Sequence, residues 1–171
     1  MEYYAHSTEK TDRSDWQPLA EHLHNVGKLS EQFAAVFMAG QWGRCVGELH
    51  DAGKACPDFV ARLEGRANRV DHATFGAQLA QERGGKLGLL LAYVICGHHG
   101  GLPDGGVQKG QLHHRLRKEI TNTEILPELD CAQPLLFPFQ LEREWAMFSL
   151  AFFTRMLFSC LTDADFLDTE A

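Results

Sequence analysis

Apolar residues recur along most of this chain at steps of three and four, the spacing of helices that bury one stripe. From 17 to 39, Leu19, His22, Val26, Leu29 and Phe33 share a face, with Pro18 suited to the first turn and Gly40 to the stop. A second helix over 41–49 delivers His50 and Asp51 at its end, and Gly53 lies where a chain reversal would need it. Segment 57–64 is a short helix between Pro57 and Gly65, and 71–83 is another, ended by Gly84 and Gly85. Segment 86–97 (KLGLLLAYVICG) is apolar nearly all round, which predicts a buried helix. The run HHGGLPDGG at 98–106 reads as a loop, 110–121 as an exposed basic helix, and Pro127, Pro134 and Pro138 as marks of an irregular connection. A last helix is expected from about 140 to 167. With no alternating strand pattern of useful length, the class is all-α: a helical bundle, expected as a single domain over 1–171.

Composition narrows the picture. A formal net charge of −7 argues against a protein that grips nucleic acid through a broad basic surface. It leaves room for a nuclease, because bound divalent ions would offset that charge at the site itself. No apolar run is long enough for a bilayer and the first residues lack an apolar signal core, so a cytoplasmic protein is expected. The five cysteines form no CxxC pair and are odd in number, which predicts free, mostly buried thiols. The nine histidines exceed what charge balance or packing would ask for, so their positions need explaining.

His50 and Asp51, adjacent where a helix unwinds, can both face one ion. HDxGK, completed by Gly53 and Lys54, is more specific than the dipeptide alone, since Lys54 would set a positive charge beside an ion-bound phosphate. His22 lies on the apolar face of the first helix, whereas His24, about 200° further round, should face elsewhere. His98 and His99 stand where a buried helix meets Gly100 and Gly101, and His72 follows Asp71 at a helix start. Asp163 and Asp165 are acidic residues in an apolar helix; about 200° apart, only one of them should reach the core. Singly, each has a bland explanation. Together they supply imidazoles and carboxylates from several helices of one bundle, as di-metal bundles do. Mixed nitrogen and oxygen donors favour Mn, Fe, Co or Ni over Ca and, less strongly, over Mg, which remains admissible.

In order and spacing, AHS at 5–7, PLAEHLHNV at 18–26, HDAGK at 50–54, DHATFG at 71–76, GHHGG at 97–101 and RMLFSCLTDADFLDTE at 155–170 form a familiar set. The chain resembles the HD superfamily of metal-dependent phosphohydrolases, and more closely the HD nuclease domain of the CRISPR-associated helicase-nuclease of type I systems. The resemblance implies an HD-domain bundle with a metal site in its core. It implies that His22, His50, Asp51 and a C-terminal aspartate hold one metal, and that Asp51 bridges to a second held by His72, His98 and His99. Asp165 is preferred as the C-terminal ligand because Ala164-Asp165-Phe166 matches the family's signature, with Asp163 the alternative. Asp51 and Lys54 are the implied catalytic residues. His6 and Ser7 match an N-terminal signature without an assigned ligand role.

The implied reaction is hydrolysis of phosphodiester bonds, chiefly of single-stranded DNA, in antiviral CRISPR interference. The implied partners are a helicase domain or subunit and the CRISPR surveillance complex. No GxxxxGK[ST] loop is present, so the motor of such a system is expected on a separate or detached part. Arg115, Arg117 and Lys118, beside His113 and His114, are the candidates for contacting the DNA backbone. The competing reading is an HD phosphohydrolase acting on nucleotides or cyclic dinucleotides. Activity should fall in acid, since histidines must be neutral to bind metal.

Overall fold

The computed structural model describes residues 2–8, 10, 12–126 and 135–170. Six helices account for most of them: α1 (Leu19–Ala35), α2 (Gly40–Leu49), α3 (Pro57–Leu63), α4 (Ala73–Gly97), α5 (Leu112–Leu116) and α6 (Ala146–Glu170). The architecture is the expected HD-type helical bundle with a His/Asp cluster in its core. The expectation of no strands needs a small correction. β1 (Tyr4–His6) pairs antiparallel with β2 (Gln17–Pro18), Tyr4 opposite Pro18 and His6 opposite Gln17. Strands this short show no alternation in a sequence, yet this pair ties His6 to the start of α1.

Helix α1 buries Leu19, His22, Leu23, Val26, Gly27, Ser30 and Ala34, the stripe its periodicity predicts. It stops before Gly40. Met38 takes the left-handed conformation (φ 61°), while the Ala39 amide donates to the Ala34 carbonyl and the Met38 amide to that of Ala35. This is a Schellman closure with methionine where glycine is usual. Gly40 therefore opens α2 instead of ending α1.

Helices α1 and α2 pack backbone to backbone. A Cβ on Gly43 would stand 2.2 Å from the Ser30 carbonyl oxygen, and one on Gly47 2.6 Å from the Gly27 Cα. Leu19, Leu23 and Val26 of α1, Val46 and Leu49 of α2, Leu91 and Ile95 of α4, and Leu157 and Leu161 of α6 close the core. His22 and His50 are fully buried among them.

The two helices expected at 71–83 and 86–97 run as one element, broken at Gly85 (φ 54°, ψ −127°). The second part is largely buried, as its composition predicts. The basic helix expected over 110–121 shrinks to the five residues of α5. Gln78 Nε2 draws in the Leu116 and Lys118 carbonyls, which turns the chain away from helical pairing. α6 begins at 146 instead of 140. Its outer face leaves Met147, Phe148 and Phe152 exposed. Pro127 and Pro134 lie outside the described residues.

Cys56, Cys96 and Cys160 are buried free thiols, as expected. Cys45 departs from that expectation, being disulfide-bonded. Among the described residues no helix is long and apolar enough to cross a membrane.

Candidate metal centre

The site forms where α2 ends. His50 is still helical (φ −56°), whereas Asp51 leaves the helix (φ −112°, ψ 16°) into a 3-10 turn over Ala52–Lys54, so two successive side chains converge on one point. Two glycines bring the start of α4 against this turn. A Cβ on Gly76 would lie 1.9 Å from the Leu49 carbonyl oxygen, and one on Gly53 would lie 2.0 Å from that of His72. Gly53 serves this close approach; it is not the chain-reversing glycine that the sequence suggests.

Two donor groups share the Asp51 carboxylate: His22, His50, Asp51 and Asp165 in one, and Asp51, His72, His98 and His99 in the other. In the first, the Nε2 atoms of His22 and His50 are 3.2 Å apart and lie 3.5 and 3.4 Å from Asp51 Oδ2. Asp165 Oδ1 stands 3.5 Å from each. In the second, His72 and His98 point Nε2 at Asp51 Oδ1 from 3.4 and 3.3 Å, and His99 Nε2 lies 2.8 Å from His72 Nε2. Two donors each about 2.1 Å from a shared ion sit roughly 3.0 Å apart at a right angle and roughly 3.4 Å apart at the tetrahedral angle. The observed separations, 2.8 to 3.5 Å, bracket that range.

The unpaired buried atoms point the same way. Asp51 Oδ1, Asp51 Oδ2 and His98 Nε2 are buried with no hydrogen-bond partner among the described residues. Lys54 Nζ lies 2.5 Å from Asp51 Oδ2 as an ion pair, out of line for a hydrogen bond. Leaving such groups unmet costs on the order of 1–3 kcal/mol each, which a cation between them would remove. The opposite ring nitrogens are held by acceptors. His22 Nδ1 meets Asp168 Oδ2 at 2.7 Å, His50 Nδ1 the Gly47 carbonyl at 2.7 Å, His72 Nδ1 the Val70 carbonyl at 3.1 Å, and His98 Nδ1 the Ile95 carbonyl at 2.7 Å. A proton kept on Nδ1 leaves each Nε2 lone pair aimed inward, the usual outer support of metal-binding histidines.

Electrostatics separate the two groups. Burial pushes the His72 and His99 imidazoles down to about 4, and His6 likewise. Burial opposes charge on His50 too, but the neighbouring Asp51 and Asp165 carboxylates outweigh it and raise His50 to about 10. Burial also works against an ionised Asp51, yet Lys54 and His50 hold its carboxyl well below the ordinary range; His50 does the same for Asp165.

Of the residues singled out in the sequence, His22, His50, Asp51, His72, His98, His99 and Asp165 meet here, while Asp163 is exposed. Lys54 is buried against them, its ammonium also donating to the Ala5 carbonyl at 3.0 Å. His6 sets its ring edge-on to His22, centroids 5.0 Å apart. Asp168, which sequence reasoning passed over, holds both His22 and, through Nε2 at 2.7 Å, Gln17. Its only signal was its place three residues beyond Asp165, one turn along the same helix face.

The basic candidates lie apart from the ligand cluster. Arg115 donates to Thr74 Oγ1, the Cys96 carbonyl and Asp71 Oδ1, and Lys118 donates to Asp71 Oδ2. Arg117 is exposed. A cavity of about 950 Å³ runs from His72 and His99 along Arg115 and Lys118. A second, of about 570 Å³, opens on the other side of the same two histidines beside Lys54.

A helical bundle whose His50-Asp51 pair is encircled by imidazoles from α1 and the two ends of α4 defines an HD-type metal-dependent hydrolase domain. The family model of the Cas3 HD domain matches residues 5–157, and the chain belongs to that family, which places it in a CRISPR context. No curated protein matches the chain. Asp165 and Asp168 fall beyond the matched span, so their place in the site stands on geometry.

Proposed function

We propose that this domain is a metal-dependent nuclease that hydrolyses phosphodiester bonds of single-stranded DNA in CRISPR interference, alongside a helicase domain or subunit and the surveillance complex. One observation carries the reading: a buried carboxylate, Asp51, with both oxygens free of hydrogen bonds, stands between two groups of inward-facing imidazoles. His22, His50, Asp51 and Asp165 would hold one divalent ion, and Asp51, His72, His98 and His99 the other. Their mixed nitrogen and oxygen donors suit Mn, Ni, Co or Fe. Bound there, such ions would polarise a phosphodiester and make water a better nucleophile.

The chain's own groups set the conditions. Lys54 keeps Asp51 ionised and lines the smaller cavity, where its charge favours a phosphate. Asp168 fixes the His22 tautomer. His99 is exposed at the mouth between the two cavities, so a polyanionic strand meets the site edge-on instead of entering a closed pocket. Exposed Arg117 and the Lys118 ammonium are the proposed backbone contacts on the larger side, while Arg115 anchors α5 to α4 there.

The test is degradation of circular single-stranded DNA by purified protein with Mn or Ni. Wild-type protein should degrade it and Asp51→Ala should not. Full activity in Asp51→Ala, or after exhaustive chelation, overturns the proposal. Faster turnover of cyclic dinucleotides than of DNA replaces it with the small-molecule phosphohydrolase reading.

A further inference from the structure

The smaller cavity differs from the rest of the surface in its charge. The chain has more acidic than basic residues, with a net charge of −7. Among the described residues no carboxylate lines this cavity; its walls include Lys54, Arg62, Arg69, His72 and His99. Four other arginines find acids: Arg13 and Arg66 pair with Glu64, Arg44 with Glu31 and Glu48, and Arg115 with Asp71. Arg62 and Arg69 have no ion pair or hydrogen bond among the described residues. Arg62 instead lies over the Phe59 ring, 5.3 Å from its centroid, which positions the guanidinium without using its N–H donors. Arg69 lines both cavities, as do His72 and His99.

Two guanidiniums with unused donors, in a carboxylate-free recess that shares a wall with the imidazole cluster, form a receptor for a phosphate diester. A planar fork of donors matches two phosphate oxygens, and on a chain of net negative charge a basic, carboxylate-free recess is a favoured place for a polyanion. We propose that Arg62 and Arg69 form a phosphate subsite that grips the backbone of single-stranded DNA next to the bond being cleaved, Arg69 standing at the junction of the two cavities. This rests on the nuclease reading above. It assigns the strand's grip to the α3 side of the site as well as to the α5 side that the sequence suggests.

The test compares wild-type protein with Arg62→Gln, Arg69→Gln and the double variant. Arg155→Gln on the exposed face of α6 is the charge-matched control. Two substrates are used: an oligothymidylate, and bis(p-nitrophenyl) phosphate, a diester with no neighbouring phosphate. Binding of a fluorescein-labelled oligothymidylate to chelator-treated protein is followed by anisotropy across a salt series. The subsite predicts that kcat/KM of the double variant falls at least about tenfold more on the oligonucleotide than on the small diester, mostly through KM. It also predicts a shallower salt dependence of binding, by about 0.7 in log–log slope per arginine removed. Arg155→Gln should follow wild type on all three measures.

Equal losses on both substrates, or an unchanged salt slope in the double variant, overturn the subsite. If wild-type protein hydrolyses neither substrate with any metal, the nuclease reading fails instead, and the salt slope still decides whether these arginines bind a strand.

Discussion

Replacing Gly53 by alanine tests how the second donor group is held. The new Cβ would sit 2.0 Å from the His72 carbonyl oxygen, closer than the 3.0 Å below which such contacts are essentially unknown. The 3-10 turn and the start of α4 must then separate by at least about 1 Å, at an overpacking cost of roughly 1–3 kcal/mol. Asp51 rides on that turn and His72 caps that helix, with 3.4 Å between Oδ1 and Nε2. Opened by the same amount, the pair would stand roughly 4.4 Å apart, beyond the roughly 4.2 Å that two donors can span across one ion. The first group should be disturbed less, because His22, His50 and Asp165 stand on α1, the end of α2 and α6, and only Asp51 rides on the turn. Equilibrium dialysis against Mn followed by elemental analysis should therefore show the variant losing affinity for one ion and keeping the other. Hydrolysis should fall by up to about a hundredfold, the loss that a 1 Å misplacement can cause. A folded variant, judged by its melting curve, that binds as much Mn as wild type with the same affinity would refute the reasoning.

Protons should distinguish the two groups. His50 is raised to about 10, so in metal-free protein at neutral pH it carries a proton that an ion must displace; His72 and His99, lowered to about 4, carry none. Affinity at the first group should then climb with pH until about 10, with close to one proton released, whereas His72 and His99 give none up above about 4. Calorimetry in buffers of different ionisation heat, with His50→Ala as reference, measures this; identical proton release in the two proteins contradicts it. Asp168→Ala should weaken metal binding by about 10–100-fold by freeing the His22 ring, and Asp168→Asn, which keeps an acceptor, by less. Equal affinities in wild type and Asp168→Ala would mean that packing alone orients His22.

The helical class and most of the helices were legible because periodic apolar residues and glycine or proline breaks are local signals. The break at Gly85 falls between two segments that the sequence separates at Gly84 and Gly85. The histidines stood out because imidazoles on apolar faces are costly to bury without a purpose, and the structure draws His22 and His50 to within 3.2 Å. Three features were not legible. The close approach of Gly53 to His72 joins elements whose separation no local pattern encodes. Asp168 reads as an ordinary solvated acid until α6 is docked against α1. Arg62 and Arg69 look like surface charges, and only their shared place in the wall of the smaller cavity, beside His72 and His99, sets them apart. Within the basic run at 113–118 the sequence does not separate Arg115, which turns inward to acceptors on α4, from exposed Arg117.

The donors of the second group all lie between positions 51 and 99, whereas the first group waits for Asp165 and its supporting Asp168. A ribosome builds the chain from its N-terminus, so the growing polypeptide owns one complete set of donors long before the other. The topology thereby imposes an order on the donors: the first group stays incomplete until α6 has been made and has packed against α1.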